Sequence, residues 1–339
     1  MQYTSFLRRW YGIGTLLLII MVGIGGVTRL TDSGLSMVNW NPVSGVIPPI
    51  TSSDWEEEFN HYKEYPEFNL VNKHITLDEF KRIFFYEYLH RIFGRFIGLY
   101  FLIPFIYLLL KKKIEHREIS KIIILITLVG IQGVLGWYMV KSGLSRNPDV
   151  SHIRLMLHLL AAMILIIFTY WQYLKHQTFN SSYKPNITKR FSLFILILVL
   201  TQISYGAFTA GLEAGYAYNT FPLMDGKFFP PNFFSNPSII NNIFYSPYTI
   251  QFLHRLMGII LFGIACYLII INLKTNKNNL LESPEIQFSC IIFLQFLLGV
   301  LTLILKVPVY LALAHQICAC FVVILSTKIL YHRLENKSI

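Results

Sequence analysis

Eight apolar runs in the chain are long enough to cross about 30 Å of hydrocarbon as helices. They fall at 11–29, 86–110, 120–140, 154–174, 191–210, 250–272, 288–306 and 310–330. The last two are joined by a turn around Lys306-Val307-Pro308. Arg8 and Arg9 precede the first run, which lacks a small-x-small cleavage site and reads as a span, not a signal peptide. With the N-terminus in the cytoplasm, that side collects about twice as many Lys and Arg as the other. Arg8, Arg9, Lys111, Lys112, Lys113, Lys184, Lys189, Arg190 and Lys277 are among them. The positive-inside rule therefore places both termini in the cytoplasm and the long loops 30–85 and 211–249 outside. The predicted fold is an all-α integral membrane protein with eight transmembrane helices.

Composition narrows the class. Hydrophobic residues make up 54% and charged residues 14%, with a mean hydropathy of +0.51. Soluble domains carry about 25% charge, so a soluble enzyme, a secreted disulfide scaffold and a disordered chain are all excluded. The net charge of +11 sits in short connections. Topology and anionic lipid explain it more simply than nucleic acid does. The cysteines, Cys266, Cys290, Cys318 and Cys320, all fall in spans and form no CxxC. Covalent c-type haem, Cys-ligated zinc and iron–sulfur clusters lack their ligands, and the thiols read as buried apolar groups.

The two halves repeat. Glu87-Tyr88-Leu89-His90-Arg91 matches Gln251-Phe252-Leu253-His254-Arg255. Gln132-Gly133-Val134-Leu135-Gly136 matches Gln295-Phe296-Leu297-Leu298-Gly299. Gly25, Thr28, Asp32 and Gly34 match Gly206, Thr209, Glu213 and Gly215, and His158 matches His315. Corresponding spans run the same way, so the halves are parallel repeats, two four-helix bundles over 1–175 and 176–339.

Ionisable groups are expensive inside a bilayer and mark functional sites. Four histidines, His90, His158, His254 and His315, stand near the outer ends of their spans at similar depth. Facing imidazoles in a four-helix bundle are a usual way to hold haem iron. Zinc or copper would need further ligands. His152 is an alternative to His158, while His61, His74, His116, His176 and His332 read as solvated. Arg29, Arg91, Arg95, Arg154 and Arg255 lie near the same ends. Snorkelling explains them as readily as carboxylate binding does, and Arg91 and Arg255 are favoured for haem propionates because each follows a candidate ligand.

Glu87, His90, Arg91, Gly94, Arg95 and Gly98 share one helix face. The glycines leave room for a flat ligand or a close helix contact. Gln251 stands where the first half has Glu87. A carboxylate can move a proton or stabilise a cation, whereas a glutamine can only hydrogen-bond, so the first half is the better candidate for chemistry. The ordinary alternative for Glu87 is an ion pair with Arg91.

Taken together, these motifs resemble the haem A synthase family. The likeness rests on Glu87-Tyr88-Leu89-His90-Arg91, on Gly25-Gly26-Val27-Thr28-Arg29-Leu30-Thr31-Asp32-Ser33-Gly34-Leu35-Ser36, and on Trp40-Asn41-Pro42 with Gly45, Pro48 and Pro49. Phe221-Pro222-Leu223-Met224 and Phe252-Leu253-His254-Arg255 add to it. The resemblance implies oxidation of one haem O methyl group to a formyl group by successive hydroxylations, giving haem A for cytochrome c oxidase. It implies haem b held by His254 and His315 with Arg255, and haem O received by His90 and His158 with Arg91 nearby. Glu87 becomes the acid near the substrate. Further implications are an external electron acceptor, haem O synthase and oxidase assembly factors as partners, a homo-oligomer and a bacterial inner membrane location. Loop 30–85 lacks the cysteine pair of some members and resembles the proteobacterial and mitochondrial branch. Trp40, Pro42, Pro48 and Pro49 there fit a lid over the site and ordinary loop packing equally well. A di-haem cytochrome b and a haem transporter are the competing functions. A prenyltransferase is disfavoured because no aspartate cluster is present for magnesium and diphosphate.

Overall fold

The computed structural model describes residues 2–40, 44–145, 148–177, 186–233, 236–275 and 280–335. Asn41, Pro42, Arg146, Lys184 and Lys277 lie outside the described residues. The described helices, in chain order, are α1 (Gln2–Leu30), α2 (Ser52–Lys63), α3 (Pro66–Leu70), α4 (Leu77–Leu110), α5 (His116–Gly143), α6 (His152–Lys175), α7 (Lys189–Gly211), α8 (Ile239–Tyr245), α9 (Pro247–Thr275), α10 (Pro284–Ile304) and α11 (Val309–Glu335). All but α2, α3 and α8 are long and apolar enough to span a bilayer, which gives the eight expected spans. The protein is an all-α, multi-pass membrane protein.

Several helices overrun their apolar runs. α4 starts at Leu77 because Thr76 caps it: the Glu79 N–H donates to Thr76 Oγ1 (3.3 Å) and the Thr76 N–H to Glu79 Oε2 (2.7 Å). This reciprocal cap satisfies two donors that the first turn leaves over. Thr51 and Asp54 build the same device on α2. About half of loop 30–85 is therefore helical. α1 and α7 are each followed by a non-glycine residue with positive φ, Asp32 (48°) and Glu213 (52°). These are matched positions of the repeat, so the duplicated halves share a left-handed turn that costs a residue with a Cβ some strain.

Contact grouping divides the chain into Leu16–Ala162 and a second unit of Met1–Thr15 with Met163–Ile339. In the first, α4 packs on α5, and α2 packs on α3 and α4. Thr28 Oγ1 donates to the Tyr86 carbonyl (3.2 Å), tying α1 to α4. Val38, Phe59, Tyr62, Phe80 and Phe84 form a core under the outer-loop helices. In the second unit α7, α9, α10 and α11 close a ring, each packing on two neighbours. Ile195, Val199, Ala265, Leu268, Phe288 and Val323 are buried there. Gly12 lies against Tyr173, and Trp171 meets Tyr331 edge-on at 5.2 Å. Cys318 and Cys320 are buried as expected, but Cys290 is exposed on α10.

Candidate functional site

Each of the four histidine rings rests on a glycine of a neighbouring helix. A Cβ on Gly25 would stand 3.0 Å from His90 Cε1, and one on Gly136 3.3 Å from His158 Cε1. The corresponding distances are 3.2 Å from Gly206 to His254 and 2.9 Å from Gly299 to His315. The same seat is thus built between α1 and α4, α5 and α6, α7 and α9, and α10 and α11. A side chain at Gly299 would force a shift, and at the other three seats it would press the imidazole back by a few tenths of an ångström.

His254 and His315 face each other with ring centroids 6.5 Å apart. An imidazole–metal–imidazole sandwich with bonds of about 2 Å spans roughly 6 Å between ring centres, so this pair fits an axially held haem iron. His315 Nδ1 bonds the Gln295 carbonyl at 3.1 Å. That contact places the proton on Nδ1 and makes Nε2 an acceptor; the Gln295 side-chain amide meets it at 3.2 Å, and it is the atom the ring would offer to an iron. The Nδ1 atoms of His90 and His158 are enclosed without a hydrogen-bond partner, whereas His254 meets the Gln202 backbone. Among the described residues no cluster of three or more His, Cys, Asp or Glu is placed to hold a bare metal ion. Two facing imidazoles, as at His254 and His315, suit a haem better than zinc or copper, which need further ligands.

Glu87 is 3% exposed and its carboxylate is fully engaged. Oε2 accepts from the Ser36 hydroxyl (2.7 Å) and the Met37 N–H (2.8 Å). Oε1 pairs with Arg91 Nη2 at 2.6 Å. The ion pair with Arg91 is thus present, but it is one part of a larger network. Arg91 also donates to the Met37 and Asn39 carbonyls, at 2.7 and 3.0 Å. The loop after α1 is in this way pinned to the histidine-bearing face of α4. Ser36 carried no role in the sequence, because the bond crosses 51 positions.

The other half repeats the clamp without the acid. Arg255 donates to the Tyr218 and Thr220 carbonyls (2.6 and 2.8 Å) and to Gln251 Oε1 (3.3 Å). Gln251 Nε2 donates to the Tyr218 carbonyl at 3.0 Å. Where Glu87 accepts from the loop, Gln251 donates to it. Arg255 Nε is enclosed and has no partner.

A cavity of about 340 Å³ opens beside Arg91, lined also by Met37, Trp40, Trp137 and Lys141. Arg91 lies over the Trp40 ring and Lys141 over Trp137. The cavity thus joins two cations to two aromatic faces, a setting suited to a flat ligand that carries carboxylates. Arg154 is directed elsewhere, to the Tyr138 carbonyl (2.7 Å) and ring, and Arg29 to Asp32. His152 opens α6 and is buried. His332 is buried too, edge-on to Tyr331, and not solvated as its place near the chain end suggested, because α11 continues to Glu335.

A family model described as COX15-CtaA, cytochrome oxidase assembly protein, matches residues 8–327. A protein named heme A synthase from Wolbachia pipientis wMel is 40% identical over 312 residues, covering 91% of this chain and 87% of its own. Proteins of the same name from Orientia tsutsugamushi strain Boryong (40% over 343 residues, 94% of each chain) and Flavobacterium johnsoniae (40% over 338 residues, 96% of this chain and 97% of its own) are similar to it as well.

Proposed function

Because the chain belongs to the COX15-CtaA family of cytochrome oxidase assembly proteins, we propose that its two histidine pairs divide the labour of haem A synthesis. The enzyme acts in haem A biosynthesis for cytochrome oxidase, taking haem O as substrate. In our reading residues 1–175 receive haem O between His90 and His158, and residues 176–339 hold haem b between His254 and His315. The observation that carries this is the four-fold glycine seat, with one pair of rings 6.5 Å apart.

Haem b, when bound, supplies one-electron redox chemistry that passes electrons from the substrate to an external acceptor. The protein's own groups do the rest. Gly206 and Gly299 fix the planes of His254 and His315, and the Gln295 carbonyl holds the His315 Nδ1 proton. Arg255 offers its enclosed Nε–H to a propionate. At the substrate site, Arg91 and Lys141 beside the cavity meet the carboxylates of haem O. Glu87 lies one helical turn before His90. Bonded to Ser36, Met37 and Arg91, its carboxylate stabilises positive charge that develops as the methyl group is oxidised. The loop it pins lines the cavity through Met37 and Trp40. The sites face outward from a bacterial inner membrane with both termini cytoplasmic, a reading the charge bias supports. Haem O synthase, oxidase assembly factors and further copies of the chain are its proposed partners.

The test is a product assay. Expressed with a haem O source and an electron acceptor, the wild-type protein should yield extractable haem A. Retention of haem without any haem A would favour the electron-transfer cytochrome.

A further inference from the structure

No Asp, Glu, Lys or Arg stands between Lys227 and Arg255. This stretch holds Phe228, Phe229, Phe233 and the helix α8 before α9 begins at Pro247. The long loop of the other half is the opposite. Its helix α2 carries Asp54, Glu56, Glu57 and Lys63, and the three acids are exposed. One outer loop is therefore built for water and the other is without charge around α8.

The uncharged stretch is arranged inside out relative to a solvated loop. Several of its polar side chains pair within the loop. Buried Asn242 accepts from the Asn236 N–H (3.0 Å) and donates to the Asn236 carbonyl (2.6 Å). Asn236 Oδ1 accepts from the Ser238 N–H, and Ser238 Oγ from the Asn241 N–H. Buried Thr249 donates to the Phe233 carbonyl at 2.7 Å. Large apolar side chains point outward: Ile239 is 65% and Ile240 67% exposed, and Phe228, Phe229 and Phe244 are exposed as well. Backbone groups satisfied internally are what a segment needs where water is scarce. Helical spacing puts Ile239, Ile240, Ile243 and Phe244 on one side of α8, with Asn241 and Tyr245 on the flank. That is the pattern of a helix lying in a membrane interface.

Contacts fix the level of α8. Phe244 meets Phe208 of α7 edge-on, with ring centroids 6.1 Å apart. Phe208 lies within the apolar run of α7, just beyond Gly206, the seat of His254. α8 packs on α9 too. It therefore stands beside the outer turns of two spans, at the border where water gives way to lipid, and not above them. We infer that α8 is a lipid-binding helix that lies in the outer interface of the bilayer, with Ile239, Ile240 and Phe244 buried about 5–10 Å into the headgroup–acyl boundary. Asn241 and Tyr245 sit at headgroup level, where tyrosine is enriched. With no cation in the stretch, the helix has no charge with which to select anionic lipid. Only Ser246 separates α8 from α9, so the seat in lipid sets the depth at which α9, and His254 two turns along it, enters the bilayer.

The test places the photoreactive residue p-benzoylphenylalanine at Ile240 of the full chain, in phosphatidylcholine nanodiscs. Illumination should add the mass of a phosphatidylcholine to the chain, mapped to α8 by proteolysis and mass spectrometry. The same probe at Glu57 of α2 should give no adduct, and at Asn241 fewer than at Ile240. Replacing part of the lipid with phosphatidylglycerol should leave the Ile240 yield within about twofold. Circular dichroism reports folding, and Ile239 is a second exposed position for the probe if the Ile240 variant misfolds. A yield at Ile240 no higher than at Glu57 would make the loop a solvated one and overturn the inference. Crosslinking of Ile240 to a second copy of the chain in place of lipid would assign the face to self-association and overturn it as well.

Discussion

Gly299→Ala is the most exacting test of the histidine seats. The added methyl would lie 2.9 Å from His315 Cε1, where carbon atoms normally keep about 3.5–4.0 Å. The ring cannot retreat freely, because its Nδ1 is bonded at 3.1 Å to the carbonyl of Gln295, on the same helix as the glycine. Overpacking of this kind costs about 1–3 kcal/mol. At about 1.4 kcal/mol per factor of ten, haem b should be lost roughly 5- to 150-fold more readily. Transfer of haem to an apo-acceptor protein measures this directly, and the low-spin signal in electron paramagnetic resonance should broaden or shift as the ring tilts. Distances also set the order among the four seats: Gly299 at 2.9 Å, Gly25 at 3.0 Å, Gly206 at 3.2 Å and Gly136 at 3.3 Å. Alanine at Gly299 or Gly206 should weaken haem b. Alanine at Gly25 or Gly136 should cut product while haem b stays. Wild-type haem transfer in Gly299→Ala, or greater damage from Gly136→Ala than from Gly299→Ala, would refute the reasoning.

Glu87→Gln should lower haem A formation by about a hundredfold, the usual effect of losing one preorganised charge at a reacting centre, with haem b still bound; loss of haem b would make the acid structural. Ser36→Ala removes the 2.7 Å donor to that carboxylate and should cost activity about tenfold, since bonds to charged groups contribute about 1.5–3 kcal/mol; full activity in this variant would show that the bond does not position Glu87. Burial pushes the Glu67 carboxyl in α3 up to about 7 although the Tyr62 hydroxyl bond opposes this, and Glu87 adds to the rise. A raised acid favours the folded state fully below its ordinary value and loses that contribution as pH climbs through the folded value. Hydrogen exchange in α2 and α3, corrected for intrinsic rate, should therefore quicken between pH 5 and about 8, and Glu67→Gln should flatten the trend; a slowing with pH would contradict it.

The spans and the four histidines were legible because hydropathy and a duplicated pattern are properties of one strand of text. Helix α4 was misjudged at its start because its first turns, through the Thr76 cap, lie in polar sequence that a hydropathy reading discards. α2 and α3 leave no mark in hydropathy for the same reason, although the Thr51–Asp54 pair is a local signal of a helix start. The Glu87–Ser36–Met37 contact could not be read at all, since nothing local links residues half a hundred positions apart. The glycine seats stood halfway. Gly25, Gly136, Gly206 and Gly299 were visible as repeat matches, but their purpose requires knowing which ring lies over each.

Duplication lets each half serve as a control on the other. If Glu87 served only to anchor the loop after α1, the second half would need a carboxylate as well. It does not: Arg255 and Gln251 hold Tyr218 and Thr220 as Arg91 and Glu87 hold Met37 and Asn39. A neutral amide therefore suffices for the anchor. Burying a carboxylate in its place demands three donors to offset desolvation, and Ser36, Met37 and Arg91 supply them. A charge kept under those conditions, one turn from His90, is what the proposed substrate site needs for a ligand whose charge changes while it is bound. On the same proposal the second half, holding its haem permanently, needs no such group, and Gln251 stands there instead.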